Sequence, residues 1–169
     1  MYNINYRRSD NHIEFVKSGE DISKILIDDI SSKPEVSPNG KKAIYLSPYE
    51  WEALSSLYLF DLETGINKEL VGPSEEKYVP KYAIWIDDDH IAYTYAYAYG
   101  TISDGGNVYI YQISENRIHK VTEFDSKTQA VRIEYDGKVI KYEGVQYIDK
   151  EMNQYKEIGG ELEVQLYLS

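Results

Sequence analysis

The chain has 169 residues, which suits one domain, and its 42% of hydrophobic residues is enough to bury a core. It has no cysteine, so disulfides and thiolate metal sites are excluded. The 18 basic and 29 acidic residues give a net charge of −11, which repels phosphate backbones and argues against nucleic acid as a partner.

No apolar run approaches the roughly 18 residues that a membrane span needs, so none is predicted. Arg7 and Arg8 stand where a secretory signal would have its apolar core, so no signal is predicted within the chain. The compartment stays open: extracytoplasmic if the chain is processed or trimmed, and cytoplasmic otherwise. The chain has 18 tyrosines against 3 phenylalanines. Tyrosine favours β-strands, where its ring can pack in the core while its hydroxyl reaches water.

The first predicted element is a partial unit near residues 10–33. It comprises a strand at 13–17, a turn at 18–21 and a second strand at 24–30. Units at the end of a repeat array are atypical because they must cap an edge.

The segment 34–71 predicts a complete four-strand unit. Its turn, Ser37-Pro38-Asn39-Gly40-Lys41, presets φ at proline and tolerates positive φ at Asn-Gly. Further strands are predicted at 43–46, 57–62 and 66–71. Gly65 suits the left-handed position of the last hairpin turn, and Asn116 takes the equivalent place in the next unit.

The segment 80–121 repeats this unit. Tyr93 matches Tyr45 at an offset of 48 residues, and Tyr109 matches Tyr58 at an offset of 51. The three additional residues fall in the connection between the second and third strands, where insertions cost little.

A third unit is predicted over 128–169. Asp136-Gly137-Lys138 repeats the earlier turn, and Tyr142 takes the place of Tyr45. Its later strands are predicted at 146–150 and 162–168, with a loop at 151–161. Residues 1–169 are therefore predicted to form one all-β domain of antiparallel, four-stranded, blade-like repeats. With about three to four units, it is a partial or small β-propeller-like structure.

The first unit resembles the repeat of TolB-type β-propellers, which also builds the propeller of prolyl-oligopeptidase-like enzymes. In that repeat a P-x-x-S-P-D/N-G-K turn precedes an apolar strand, and a D-x-x-T-G turn closes the outer hairpin. Residues 34–41 and Asp61-Leu62-Glu63-Thr64-Gly65 carry both signatures. The second unit, with residues 99–109, also resembles an uncharacterised short propeller-like family of Gram-positive bacteria, a domain of unknown function. The resemblance implies blades and assigns no activity.

Six aromatic or hydroxyl residues are predicted to bind a ligand, because the connections of a propeller often form its binding face. They are Tyr49, Trp51, Tyr97, Tyr99, Thr101 and Ser103. Over residues 93–99 the tyrosines alternate with small residues and so share one face of a strand. That face is predicted to pack on a neighbouring blade. The alternatives are an aromatic platform for sugar rings or a peptide, and an edge that pairs with another chain.

The glycine-rich segment 99–106 is interpreted as a long hairpin connection or, alternatively, as a backbone nest for an anion. It has neither nucleophile-elbow nor Walker spacing. Asp87-Asp88-Asp89-His90 is interpreted as a solvated turn, with a hard-cation site as the alternative. His12, His90 and His119 have no zinc spacing. Trp85 is predicted to lie in the core. No catalytic residue, metal or cofactor is predicted.

The sequence favours a non-enzymatic protein- or ligand-binding module of a bacterium, with a protein or a glycan as partner. One alternative is a saccharide- or peptide-acting hydrolase or lyase with a rim pocket, in which Asp87, Asp89, His90 and Asp104 would converge. Another is a structural subunit that forms a homodimer through exposed end blades, since two copies would supply roughly seven or eight blades.

Overall fold

The computed structural model describes residues 1–169 and shows fourteen β-strands in four antiparallel sheets, numbered here sheet 1 to sheet 4 along the chain. The one helical element is a 3-10 turn at Gln165–Tyr167. No helix has the length and apolar character that crossing a membrane requires. The all-β, blade-like architecture predicted from the sequence is confirmed.

Two sheets have four strands and two have three, and each sheet keeps its strands in chain order. Sheet 1 contains β1 (Tyr2–Arg7), β2 (His12–Lys17) and β3 (Lys24–Ile25). Sheet 2 contains β4 (Glu35–Val36), β5 (Lys42–Ser47), β6 (Ser56–Asp61) and β7 (Asn67–Val71). Sheet 3 contains β8 (Tyr78–Trp85), β9 (His90–Tyr97), β10 (Asn107–Gln112) and β11 (Arg117–Lys120). Sheet 4 contains β12 (Thr128–Tyr135), β13 (Val139–Tyr147) and β14 (Tyr155–Glu163).

Sheets 2 and 3 pair equivalent residues of the repeat. Tyr45 lies opposite Tyr58 with stacked rings 5.2 Å apart, and Tyr93 lies opposite Tyr109 with stacked rings 5.6 Å apart. The two units predicted at 34–71 and 80–121 therefore share one strand register as well as one strand order.

The hairpin turns follow the chemistry of their residues. Asp61 Oδ1 accepts hydrogen bonds from the amides of Glu63 and Thr64, at 2.8 and 3.1 Å, before Gly65 adopts a φ of +78°. Asn116 has a φ of +50° at the equivalent turn of sheet 3. The predicted left-handed positions are thus confirmed in both units.

The predicted strand bounds of the third unit are wrong. β13 and β14 form a long hairpin that pairs Val139 with Glu163 and Tyr147 with Tyr155, so most of the predicted loop at 151–161 is strand. The predicted strand at 162–168 ends at Glu163, and a 3-10 turn follows. Gly160 leaves room for a tyrosine ring, because a Cβ there would stand 2.8 Å from the ring of Tyr142. Gly159 and Gly160 therefore lie within the strand, at a point where the sheet and a tyrosine ring approach closely.

The N-terminal unit also differs from the prediction. It begins with β1, which the predicted unit at 10–33 leaves out, and β3 is only two residues long. Tyr2, Ile4 and Tyr6 of β1 pack against the buried side chains between sheets 1 and 2, which are those of Ile13, Tyr45, Phe60 and Leu62. The ladder stops after β3, where Leu26 and Ile27 also pack into this core.

Three apolar clusters join successive sheets. The first, between sheets 1 and 2, contains Ile13, Tyr45, Phe60 and Leu62. The second, between sheets 2 and 3, includes Ile44, Leu46, Leu57, Leu59, Ile91 and Tyr93. The third, between sheets 3 and 4, includes Ala92, Val108, Ile110, Ala130, Ile133 and Ile140. Neighbours along β5 and β9 therefore face different clusters, as strand alternation requires.

Trp85 packs half-buried against the second cluster, and its Nε1 donates to the carbonyl of Glu35 at 2.8 Å. The indole therefore joins β8 to the short strand β4. The prediction that Trp85 lies in the core is therefore confirmed in part: the side chain packs against the core but is only half-buried.

The outer faces of the two end sheets are polar. On sheet 1, Arg7 contacts Glu14 and Asp10, each at 2.6 Å. On sheet 4, Arg132 pairs across strands with Glu143, and Glu134 with Lys141. Because these faces carry charges, the stack of four sheets ends in surfaces that water solvates well.

Candidate ligand-binding groove

Two adjoining cavities lie between sheets 2 and 3. The first, called here the rim cavity, has a volume of about 310 Å³ and lies between the β5–β6 connection and the β9–β10 connection. The second, called here the inner cavity, has a volume of about 260 Å³ and lies between the segment before β4, β5 and β8. Tyr49 and Lys81 line both cavities, and the two cavities are together called here the inter-sheet groove.

The β5–β6 connection presents two aromatic rings at the mouth of the rim cavity. Trp51 is 72% exposed and Tyr49 is 47% exposed. The connection itself is fixed: the amide of Tyr49 donates to the carbonyl of Ile30 at 2.8 Å, and Ser55 Oγ donates to the carbonyl of Pro48. The rings therefore extend from an anchored loop, which limits the entropy lost when a ligand covers them.

The opposite wall of the rim cavity is the β9–β10 connection, which is tied to its neighbours through its glycines. The amide of Gly100 donates to Glu52 Oε2 at 3.2 Å, and the amide of Gly105 donates to Gln129 Oε1 at 2.7 Å. Gly106 and Ala130 exchange two backbone hydrogen bonds of 2.9 Å. The three glycine amides are therefore bonded within the protein and do not face an anion.

Gln129 is the buried clamp of this connection, and no motif in the sequence singles it out. Its Nε2 donates to the carbonyl of Ile102 at 2.6 Å while its Oε1 accepts from Gly105, and the residue is only 7% exposed. In the sequence Gln129 is one of several polar residues of β12, so no local signal distinguishes it.

Lys81 lines both cavities and is the second site residue that the sequence pattern does not indicate. The register of β8 against β9 shifts between Pro80 and Tyr82, so Lys81 is the extra residue of a β-bulge. Its Nζ donates to the carbonyl of Ser103. Desolvation lowers the pKa of Lys81, and the carboxylate of Asp104 partly opposes that shift.

Of the six predicted site residues, the structure brings three to the rim cavity: Tyr49, Trp51 and Ser103. Tyr97 lines a separate cavity near the β11–β12 connection, and Tyr99 packs edge-on against it at 5.5 Å. Strand alternation accounts for the separation, because Ala98 and Gly100 are the residues that line the rim cavity. Thr101 is exposed in the β9–β10 connection and lines neither cavity.

The tyrosine face of β9 packs as predicted at its buried end. Tyr93 belongs to the second core cluster with side chains of sheet 2, and Tyr95 donates its hydroxyl proton to the carbonyl of Gly72 at 3.0 Å. This part of the face therefore serves packing between blades.

Asp87-Asp88-Asp89-His90 forms the β8–β9 turn, and its carboxylates diverge. Asp87 Oδ1 accepts from the amide of Asp89 and contacts His90 Nδ1, both at 2.8 Å, while Asp88 accepts from the amide of Asn39 at 2.8 Å. No group of three potential ligands is arranged to hold a metal. The turn interpretation accounts for these contacts, and the hard-cation alternative does not.

The hydrolase hypothesis built on these residues is wrong. Asp104 lies at the rim cavity beyond the end of β9, whereas Asp87, Asp89 and His90 lie at or before its start. β9 is eight residues long, and its seven steps of about 3.3 Å each put its two ends roughly 23 Å apart. Even an inverting pair of carboxylates works at no more than about 9.5 Å.

Stacked antiparallel blades, with a groove between the connections of two successive repeats, define a β-propeller-like protein of the TolB type. The family described as Domain of unknown function (DUF4652) matches residues 52–158, and the chain belongs to it. No curated protein matches the chain.

Several solved structures share the fold. A protein from Clostridium novyi NT, described as a conserved lipoprotein, is 23% identical with a TM-score of 0.73, over 80% of this chain and 88% of that one. A protein of Agrobacterium tumefaciens described as TolB is 13% identical with a TM-score of 0.52, over 90% of this chain and 58% of that one. Oligopeptidase B from Trypanosoma brucei is 16% identical with a TM-score of 0.58, over 92% of this chain and 25% of that one. At these identities the likeness establishes the fold alone.

Proposed function

We propose that this protein is a non-enzymatic binding module of a bacterium, and that its ligand lies in the inter-sheet groove with a ring or chain against Trp51 and Tyr49. The observation that carries the proposal is the exposure of Trp51, which is 72% accessible on an anchored loop beside a cavity of about 310 Å³. Hydrophobic and aromatic side chains are typical of the lining of ligand-binding pockets.

The lining supports binding more than catalysis. The groove combines apolar and aromatic side chains with charged and hydroxyl groups, and polar groups in a pocket orient a ligand. A nucleophile next to a general base would point to an enzyme. In the rim cavity Ser55 Oγ instead donates to a backbone carbonyl, and Lys81 Nζ donates to the carbonyl of Ser103. His90, the only histidine on β9, is at the far end of that strand.

The test is a glycan and peptide binding screen with Trp51→Ala and Tyr49→Ala. We expect each variant to lose at least tenfold in affinity for any ligand found, since truncating a central aromatic side chain of a binding site costs about 2 kcal/mol or more. Tyr155→Ala is the matched control, because that ring is 58% exposed on β14 and lines neither cavity. Equal binding by wild type and by both groove variants would reject the site.

A further inference from the structure

We propose that the outer edge of sheet 4, formed by β14, is an interaction surface that takes up an extended, basic segment of a partner protein as an additional antiparallel strand. No residue of β14 lines either cavity of the inter-sheet groove. This inference therefore goes beyond the proposed function and does not rest on it.

Sheet 4 lacks the fourth strand that completes sheets 2 and 3. In those sheets the third strand pairs with a fourth, β6 with β7 and β10 with β11. β14 is the third strand of sheet 4 and pairs with β13 alone. It has nine residues, whereas the edge strands β7 and β11 have five and four. Short strands protect a sheet edge against pairing, and β14 does not have that protection.

The hydrogen bond next to β14 shows which of its backbone groups face outwards. The amide of Ile148 donates to the carbonyl of Gln154 at 3.0 Å, in the register that pairs Tyr147 with Tyr155. Bonded and non-bonded pairs alternate along an antiparallel ladder, so every second residue of β14 directs its amide and carbonyl away from β13. These residues are Tyr155, Glu157, Gly159, Glu161 and Glu163. None of them has a backbone hydrogen bond outside the ladder.

The same alternate residues make the edge negative. Side chains alternate between the two faces of a strand, so Glu157, Glu161 and Glu163 share one face, and all three are exposed. Glu157 and Glu163 lie opposite valines of β13, and only Glu161 lies opposite a basic residue, Lys141. The Lys141 ammonium contacts Asp136 instead, at 3.5 Å. The three glutamates thus have no basic partner within the chain.

This charge favours a basic strand over a second copy of the chain. Two β14 strands would bring three glutamates of one copy beside three of the other, and like charges on adjacent strands destabilise a sheet. A strand with lysine or arginine at every second residue brings cations to the glutamates, while its backbone bonds to the outward amides and carbonyls. Apolar residues between the cations lie on the face of Ile158 and Leu162, which are half-buried.

The test is an NMR titration of the whole chain with blocked heptapeptides. The basic probe alternates lysine and valine, with lysine at both ends, and is as long as the segment 157–163. We expect it to shift the amide signals of β14. The acidic probe, with glutamate in place of each lysine, should bind at least tenfold more weakly.

Methylation of peptide amides separates strand addition from simple attraction between charges. In the antiparallel pairing, the peptide residues that bond to the edge are the lysines, because they lie opposite the outward-facing residues of β14. The basic peptide N-methylated at its lysines should therefore lose at least tenfold in affinity. The same peptide N-methylated at its valines, whose amides face away from the edge, should bind within about twofold of the unmethylated form.

Variants of the protein locate the site. Glu157→Gln/Glu161→Gln should weaken binding of the basic peptide roughly fivefold, as expected for two charge pairs across a sheet edge. Glu50→Gln/Glu52→Gln changes the net charge by the same amount at the rim cavity and should bind as wild type. Tyr155→Ala should also bind as wild type, because Tyr155 lies beyond the segment that the heptapeptide covers.

The outcomes decide the proposal independently of the groove. No binding of the basic peptide, equal binding of the basic and acidic peptides, or any other order of the two methylated forms overturns it. So does a loss of affinity in Glu50→Gln/Glu52→Gln that matches the loss in the edge variant. A dimer that protects the outward amides of β14 from hydrogen exchange identifies a second copy as the occupant and overturns the basic partner. Trp51→Ala, which tests the groove, should leave binding at this edge unchanged.

Discussion

The wall of the groove depends on a close backbone approach at Gly105, and the structure predicts what a single methyl group there would do. A Cβ at this position would overlap the carbonyl oxygen of Ala130 and stand 2.8 Å from Val131 Cα. Real Cβ atoms essentially never come within 3.0 Å of such atoms. In Gly105→Ala the β9–β10 connection and β12 must therefore move apart.

The cost follows from the bonds that the movement breaks. Gly106 and Ala130 exchange two hydrogen bonds of 2.9 Å, and Gly105 donates to Gln129 at 2.7 Å. The loss of the two hydrogen bonds between Gly106 and Ala130, together with an overpacked contact, destabilises the fold by roughly 3–5 kcal/mol. For a domain of this size that lowers the midpoint of thermal unfolding by roughly 6–20 °C.

The assay is urea unfolding followed by tryptophan fluorescence, supported by a thermal melt. Gly72→Ala is the control, because its Cβ would meet only the flexible carboxylate end of Glu69, and we expect a change within about 0.5 kcal/mol. The reasoning about the loop anchor fails if Gly105→Ala unfolds at the same midpoint as wild type and Gly72→Ala.

Three further predictions concern the core and the ends of the stack. Burial raises the pKa of Tyr45 and Tyr93 far above that of an exposed tyrosine, so the unfolded state ionises first and stability falls as the pH rises above about 10. Tyr45→Phe and Tyr93→Phe should each flatten this decline in urea unfolding at stepped pH, and an unchanged slope would contradict it. Phe60→Ala should cost roughly 3–5 kcal/mol in the same assay, because Phe60 is fully buried between sheets 1 and 2, and a cost below about 1 kcal/mol would contradict its place in that core. A homodimer through the end sheets, which stays a proposal, would join polar outer faces, so its mass by light scattering should fall towards the monomer at high salt; a salt-independent dimer would require another surface.

The repeat could be predicted from the sequence because its signals are local. The residue types in a turn indicate its backbone conformation, and the alternation of side chains along one strand predicts which of them share a face. Tyr45 and Tyr58 are 13 residues apart, Tyr93 and Tyr109 are 16, and both pairs lie directly across from each other because the difference is absorbed in a connection.

The bounds of the end sheets were harder to predict because there the local signals mislead. The glycine pair in β14 looks like a turn, yet Gly160 lies opposite Tyr142, whose ring occupies the space that a side chain would fill. Whether two consecutive glycines form a turn or remain paired within a sheet depends on the neighbouring strand. The sequence of the glycine segment alone does not show what that neighbour is.

The groove shows the same limit for the site. Tyr49 and Trp51 could be predicted because exposed aromatic residues in a connection stand out in any chain. Lys81 and Gln129 could not, since one enters the site through a β-bulge and the other through a bond to a loop 24 residues away in sequence. The positions of these two residues depend on how two sheets pack against each other, and a local sequence pattern does not predict that packing.

The placement of the groove suggests how a repeat architecture separates stability from recognition. The β5–β6 and β9–β10 connections are equivalent parts of successive units, and they meet through Glu52 and the amide of Gly100. The buried faces beneath them are fixed by packing, whereas the connections differ in length and in residues at little cost to the core. Two copies of one structural unit therefore place two connections of different sequence, β5–β6 and β9–β10, on opposite sides of the rim cavity.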